Sequence, residues 1–223
     1  MPSSTIENYL KHIFTATQTL DGDTVPMGTV ARDLSVSPGT ATSMVKTLAR
    51  NGLVSYEPRH GVQLSPEGRD LALQILRRHR LIEFFLAETL QMDWSEVHAE
   101  AERLEHAVSD RLLEHLDRFL GHPKFDPHGD AIPSAKGVMV ERDLVPMAAL
   151  DTGESGCVAR ISDADGDFLR YAREHSLIPG ARFRARNKDT VAACLSVELP
   201  DGRALTLGLA AAERIFVERI PAC

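Results

Sequence analysis

The chain has 223 residues, room for one large or two to three small domains, and its 43% hydrophobic content is ordinary for a soluble globular protein. No apolar run approaches the roughly 20 residues that span a bilayer, residues 1–11 lack the order of a signal peptide, and Cys157, Cys194 and Cys223 form no CxxC pair; a membrane partner, secretion, a disulfide framework and a thiolate zinc site are therefore not expected. The net charge of −7 argues against indiscriminate binding to a polyanion, but the acidity is concentrated in residues 71–140, which hold 8 Lys/Arg against 12 Asp/Glu.

In chain order, Thr5 to Leu20 is predicted as a first helix, because Ile6, Leu10, Ile13, Phe14 and Leu20 recur near helical spacing. A short helix follows over Thr29 to Leu34. Ser37 then caps a third helix with Pro38 at its first position, and Gly52 ends it. Ala41, Val45 and Leu48 form its inward face. Leu53–Glu57, the turn Pro58-Arg59-His60-Gly61 and Val62–Leu64 read as strand, turn and strand. A long helix is expected from Ser65 to about Leu90, another from Asp93, with Val97, Ala101, Leu104 and Val108 on one side, and a further one from about Ser109 to Leu120. Four prolines and three glycines between Gly121 and Pro146 suggest an ordered, non-helical linker. Beyond Gly156 the period becomes two, giving strands at Cys157–Ile161, Arg182–Arg186, Ala193–Leu199, Ala204–Leu207 and Ile215–Ile220. One helix, about Ala164 to His175, interrupts them, and Pro200-Asp201-Gly202 makes a hairpin turn.

The fold class is thus multidomain α+β. The expected parts are a winged helix-turn-helix over 1–70, a helical metal-binding and dimerisation domain with its proline-rich linker over 71–140, and an SH3-like small β-barrel over 141–223.

The third helix has the chemistry of a DNA-reading element. Ser37, Thr40, Thr42, Ser43, Lys46 and Arg50 occupy its outer face or cap. Short hydroxyl side chains let a helix approach the major groove closely, and a threonine methyl packs on thymine. Lys46 and Arg50, with Arg59 and His60 in the wing, are suited to phosphate or minor-groove contacts, which fix position more than sequence.

A second constellation has the chemistry of a cation site. Glu102, Glu105 and His106 stand at i, i+3 and i+4, which places them on one flank of a continuous helix, with His98 one turn before. His79 and Glu83 form an i, i+4 pair on the preceding helix. Carboxylates with imidazoles fit a divalent first-row metal; their hard oxygens favour Mn(II) or Fe(II), while Zn(II) or Co(II) would bind such a site in vitro. Surface Glu and His at the same spacing also make weak ion pairs, so the motif gains weight from its place after a winged helix.

With those residues in hand, the chain resembles the DtxR/MntR family of metal-dependent transcriptional regulators. The resemblance spans nearly the whole length: Glu7-Asn8-Tyr9-Leu10, Val36-Ser37-Pro38-Gly39-Thr40-Ala41-Thr42, Gly52-Leu53-Val54, His79-Arg80-Leu81-Ile82-Glu83, Val97-His98, Glu102-Arg103-Leu104-Glu105-His106-Ala107-Val108-Ser109 and Phe125-Asp126-Pro127-His128-Gly129-Asp130-Ala131-Ile132-Pro133. It implies a homodimer on double-stranded operator DNA and a C-terminal FeoA-type domain. It also implies two metal sites. The primary one uses Asn8, Glu102, Glu105 and His106. The ancillary one uses His79, Glu83 and His98, with Asp165 as the nearest positional match for a ligand from the C-terminal domain. Iron-type members have Cys where this chain has Glu102, so the resemblance favours Mn(II), with Fe(II) as the alternative. Asn8 departs from the usual acidic ligand of manganese-type members, and Lys11 stands where some of them carry a second acid. A metal-independent winged-helix protein is the other reading. The sequence lacks HExxH, G-x-S-x-G and a Gly-rich phosphate loop, so neither an enzyme nor a small-molecule substrate is expected.

Overall fold

A computed structural model of the chain describes residues 3–20, 22–162 and 165–220. They divide into two compact units. One runs up to His79 and adds Glu105–Val108 and Pro133–Val138; the other comprises Arg80–Leu104, Ser109–Ile132 and the chain from Met139 on.

The first unit opens with α1 (Ser4–Thr17), α2 (Met27–Asp33) and α3 (Pro38–Arg50). Leu10, Ile13 and Phe14 are the buried stripe of α1, and Ala41, Val45 and Leu48 that of α3, as their spacing dictates. The Ser37 hydroxyl accepts the Thr40 amide at 3.1 Å, and Pro38 presets the first turn of α3. Gly52, at φ +73, closes that helix, with Leu53 N bonded to Leu48 O and Gly52 N to Ala49 O.

The wing pairs β1 (Val54–Glu57) with β2 (Gly61–Leu64) in antiparallel register, Tyr56 opposite Val62. Val25 adds a third short rung through reciprocal bonds of 2.8 and 2.9 Å with Val62. Gly61 has φ +136, and a Cβ there would lie 2.5 Å from the Val25 carbonyl oxygen, so this corner admits only glycine. Helix α4 (Pro66–Phe84) then begins, as predicted, just after Ser65.

In the second unit, α4 ends in one π-helical turn, Phe85–Thr89. The next helix, α5, covers only Val97–Leu104. The expected start at Asp93 is displaced because the Asp93 carboxylate accepts the Ser95 amide at 2.9 Å and holds a turn. The helix expected to run on through Val108 is also cut short: Glu105, His106 and Ala107 form a turn. Ser109 adopts extended dihedrals there and caps α6 (Asp110–Phe119) by accepting the Leu112 amide, which ends the helical run early.

Six antiparallel strands follow in the order β3-β8-β4-β5-β6-β7: β3 (Val145–Pro146), β4 (Ser155–Ile161), β5 (Arg182–Asp189), β6 (Cys194–Glu198), β7 (Ala204–Gly208) and β8 (Ile215–Ile220). Shifts of register at Val158/Arg160 and Ala185/Asn187 bend the sheet around a single core that includes Met147, Leu150, Phe168, Leu195 and Val217. Trp94, well upstream in sequence, is part of this core. Helix α7 (Gly166–Glu174) packs into it with Phe168, Leu169 and Ala172, and α8 (Leu209–Ala212) is a short turn before β8. Ala164, the predicted start of α7, lies outside the described residues.

The proline-rich segment contains no helix between Gly121 and Pro146. Part of it is firmly anchored: Asp126, His128 and Ile132 are buried, and Arg142 lies 3.9 Å over the Phe125 ring while donating to the carbonyls of Ala159 and Gly129. Among the described residues no helix is long and apolar enough to cross a membrane.

Candidate metal centre

In the first unit, α1 and the Glu105–Val108 turn carry a buried polar cluster. Helical spacing puts Glu7, Asn8 and Lys11 on adjoining flanks of α1. Glu105 is fully buried, and its carboxylate receives the Lys11 ammonium on both oxygens, at 2.7 and 2.9 Å. His79 Nδ1 lies 2.6 Å from Glu105 Oε2. His106 places Nδ1 2.6 Å from Glu7 Oε2 and Nε2 3.4 Å from Glu105 Oε1. Arg78 stands 3.9 Å from the other Glu7 oxygen.

Two atoms in this cluster lack what burial normally demands. Asn8 Oδ1 and His106 Nε2 are both buried without a hydrogen-bond partner among the described residues. Such an orphan costs about 1–3 kcal/mol when nothing replaces its lost water. Both can ligate a metal: an amide oxygen and the lone pair of a neutral imidazole. His106 Nε2 and Glu105 Oε1, 3.4 Å apart, make a mixed nitrogen and oxygen donor pair that suits a divalent first-row cation, and Asn8 on α1 offers a further oxygen.

The second unit carries its own acidic cluster. His98 Nδ1 is 3.0 Å from Glu83 Oε1, and His98 Nε2 is 3.8 Å from Glu102 Oε1. Glu83, Asp126 and His128 are all buried and each offers a ligand atom within 4.8 Å of the others. Burial, with Asp130 and Glu83 close by, pushes the Asp126 carboxyl well above the usual carboxylate range, despite Arg80 at 3.5 Å. Asp126 Oδ1 is fixed by the amides of His128 and Asp130, each at 2.9 Å. His128 stacks on Trp94 at 5.0 Å between centroids, turns Nε2 toward the Trp94 carbonyl, and leaves Nδ1 buried without a hydrogen-bond partner among the described residues. A divalent cation would offset the mutual repulsion of Glu83 and Asp126 and supply a partner for that nitrogen.

The sequence-predicted residues are therefore distributed as follows. Glu105 and His106 come together, and His79 joins Glu105 through its Nδ1; Asn8 lies on α1 between Glu7, which meets His106, and Lys11, which meets Glu105. Glu83, His98 and Glu102 form a connected set. Asp165 is a correction. Its Oδ1 caps α7 by accepting the amides of Asp167 and Phe168, its Oδ2 meets Arg214 at 3.2 Å, and it joins no carboxylate–histidine cluster among the described residues. Those bonds to the Phe168 amide and Arg214 hold its carboxyl below the ordinary range. Glu7 and Lys11 were not read as members of the cluster, and Asp126 and His128 were read as linker. The Asp126-x-His128 spacing is a ligand signal in principle, but only burial distinguishes it from an exposed turn.

On the DNA-reading side, Ser37, Thr40, Ser43, Lys46, Arg50, Arg59 and His60 are exposed and Thr42 is half-buried. Three hydroxyls have local duties: Ser37 caps α3 and shares a 2.8 Å hydrogen bond with the Thr40 hydroxyl, and Thr42 donates to the Pro38 carbonyl at 2.8 Å. Arg59 takes φ +70 at the tip of the wing, and His60 lies 3.6 Å from Glu57.

Family models described as the iron dependent repressor N-terminal DNA binding domain, the iron dependent repressor metal binding and dimerisation domain, and the FeoA domain match residues 1–62, 65–134 and 145–219. The chain is 27% identical over 228 residues to the iron-dependent repressor IdeR of Mycobacterium bovis, covering 97% of each. It is 38% identical over 120 residues to an HTH-type transcriptional regulator of Methanocaldococcus jannaschii, covering 53% of this chain and 94% of that protein. A solved manganese-dependent transcriptional repressor in complex with manganese is 41% identical, with a TM-score of 0.90 over 96% of this chain and 100% of that one. The chain belongs to the DtxR/MntR family of metal-dependent transcriptional regulators, DNA-binding proteins rather than enzymes, with a C-terminal FeoA-type domain.

Proposed function

We propose that this chain is a Mn(II)-responsive repressor that controls metal-transport genes as a homodimer. The observation that carries the reading is the buried orphan His106 Nε2, 3.4 Å from a fully buried Glu105, with a second buried orphan, Asn8 Oδ1, on α1. Asn8, Glu105 and His106 would hold the primary ion, with Glu102, three residues before Glu105, as a further carboxylate. Glu83, Asp126 and His128 would hold a second ion, with His98 as a neighbouring donor. The oxygen-rich donor sets, without a cysteine, favour manganese, as does the likeness to a manganese-dependent repressor. Ferrous iron fits the same ligands, and IdeR is named for iron.

Bound metal supplies positive charge and fixed coordination. The protein's part follows from its own residues. Asn8 sits on α1, which packs against α2 and the wing strand β2. Tying Asn8 to the Glu105–His106 turn fixes α1, and through it the frame that carries α3. Two recognition helices of a dimer must match half-sites about one helical turn apart, so fixing that frame favours operator binding. By linkage, operator DNA tightens metal binding to the same degree. Ser37, Thr40, Thr42 and Ser43 would meet base edges or the groove wall, and Lys46, Arg50, Arg59 and His60 the backbone.

The test is operator binding, by fluorescence anisotropy, at matched free Mn(II), Fe(II), Co(II) and Zn(II), with DNA fragments selected by the protein from its own genome. The Glu102→Ala/His106→Ala variant is expected to stay folded and dimeric while losing metal-dependent DNA binding. Undiminished metal-dependent binding by that variant would overturn the assignment.

A further inference from the structure

We infer that Lys11 is a built-in cation of the primary site: its ammonium holds Glu105 when metal is absent and competes with metal for that carboxylate, so that it sets the metal concentration at which the site fills. This rests on the reading that Glu105 and His106 hold the ion.

The geometry is that of a counter-ion on the Glu105 carboxylate. Both side chains are buried, at 5% and 0% exposure, and Nζ lies 2.7 and 2.9 Å from the two oxygens of Glu105. A carboxylate offers about four lone-pair directions. Lys11 takes one on each oxygen and His79 takes another on Oε2. The remaining direction is on Oε1, the oxygen 3.4 Å from the orphaned His106 Nε2. An ion reaching His106 Nε2 and Glu105 Oε1 must therefore share its carboxylate with an ammonium.

That arrangement is not the one that packing alone would select. Buried ion pairs are on average no more stabilising than apolar side chains of the same volume. The charge matters where a second cation is to be admitted. A fixed positive charge within a few ångströms of a divalent ion, in a region of low effective dielectric, raises the ion's energy. The same charge keeps α1 docked on the Glu105–Val108 turn before metal arrives. Lys11 thereby lowers metal affinity and narrows the structural difference between the metal-free and metal-bound forms.

The test compares Mn(II) affinity, by chelator competition, and melting temperature in excess chelator for the full chain and for Lys11→Met, Lys11→Gln, Lys11→Arg and His106→Ala. Lys11→Met and Lys11→Gln are expected to bind Mn(II) about tenfold or more tightly than the parent, and to melt lower in chelator with a larger rise on adding metal. Lys11→Arg, which keeps the charge, is expected to stay within about threefold of the parent. The glutamine variant retains a donor toward Glu105 and decides the matter should methionine prevent folding. Loss of primary-site Mn(II) in His106→Ala together with unchanged or weaker affinity in the neutral variants overturns this inference and spares the site. Unchanged Mn(II) binding in His106→Ala overturns the site and the inference with it.

Discussion

Replacing Asp126 by Asn separates the cost of the second acidic cluster from its use. In the metal-free chain the ionised carboxylate is buried beside Glu83 and Asp130, and its carboxyl is held well above the ordinary range. Asn keeps the oxygen that accepts the His128 and Asp130 amides at 2.9 Å and removes the charge. Arg80 loses one partner at 3.5 Å but keeps Asp130 at 3.2 Å and the Ala131 carbonyl. Relief of an incompletely compensated buried polar group is worth about 2 kcal/mol, which for a chain of this size raises the melting temperature by roughly 4–8 °C. The sign with pH follows from proton uptake. A group whose folded-state pKa is raised binds more protons when folded, so its charge depresses stability increasingly as pH climbs from the ordinary carboxylate pKa through the raised one. Asp126→Asn is therefore expected to stabilise the chelated protein at pH 7.5, to give little gain near pH 4, and to lose the thermal stabilisation that a second equivalent of Mn(II) confers. Differential scanning fluorimetry across pH, with and without Mn(II), measures all three. A variant no more stable than its parent at pH 7.5, or one that still takes the second equivalent with parental affinity, would refute the argument.

Gly129→Ala should be strongly destabilising, by about 3 kcal/mol or more. Gly129 has φ +93, and a Cβ there would stand 2.0 Å from the Ala159 carbonyl oxygen, which no small shift accommodates; a chemical melt in chelator reads the loss. Lys46→Ala should weaken operator and non-operator DNA alike and lower the slope of log affinity against log salt by about 1, because an exposed lysine on α3 reads phosphate and not sequence. A sequence-selective loss in the same titration would move Lys46 into the base-reading group.

Much of the fold was legible because local signals and burial agree. Ser37-Pro38 and Gly52 bound α3 where capping chemistry places them, and the alternation in Arg182–Arg186 and Ile215–Ile220 gives β5 and β8. The failures have separate causes. The helix expected from Asp93 through Val108 satisfies helical spacing, but side-chain oxygens at Asp93 and Ser109 offer the backbone other partners, and the helix retreats to Val97–Leu104. Periodicity cannot see that competition. The linker misled for another reason. Proline and glycine density reports the absence of a helix, not exposure, and it gave no hint that Asp126 and His128 are buried beside Glu83. Lys11 was visible only as a departure from a pattern. Its partner, Glu105, is 94 residues away, a pairing that no local rule supplies.

The charge of the chain bears on how metal acts. At −7, the unliganded chain is repelled by DNA on average, and two divalent ions would change this only to −3 (−7 plus twice +2). The repulsion is reduced but its sign is unchanged, so simple neutralisation cannot be the main effect. The basic groups suited to phosphate, Lys46, Arg50 and Arg59, are exposed on α3 and the wing and lie outside both acidic clusters. Their local field on DNA depends on where they are held more than on distant charge, since separations beyond about 8–10 Å are screened at physiological salt. On the proposed site, metal would therefore act chiefly through position, by tying Asn8 on α1 to the Glu105–His106 turn that Lys11 grips. On this account the affinity gained from metal should change little between moderate and low salt, whereas a neutralisation mechanism would make the gain grow steeply as salt is withdrawn.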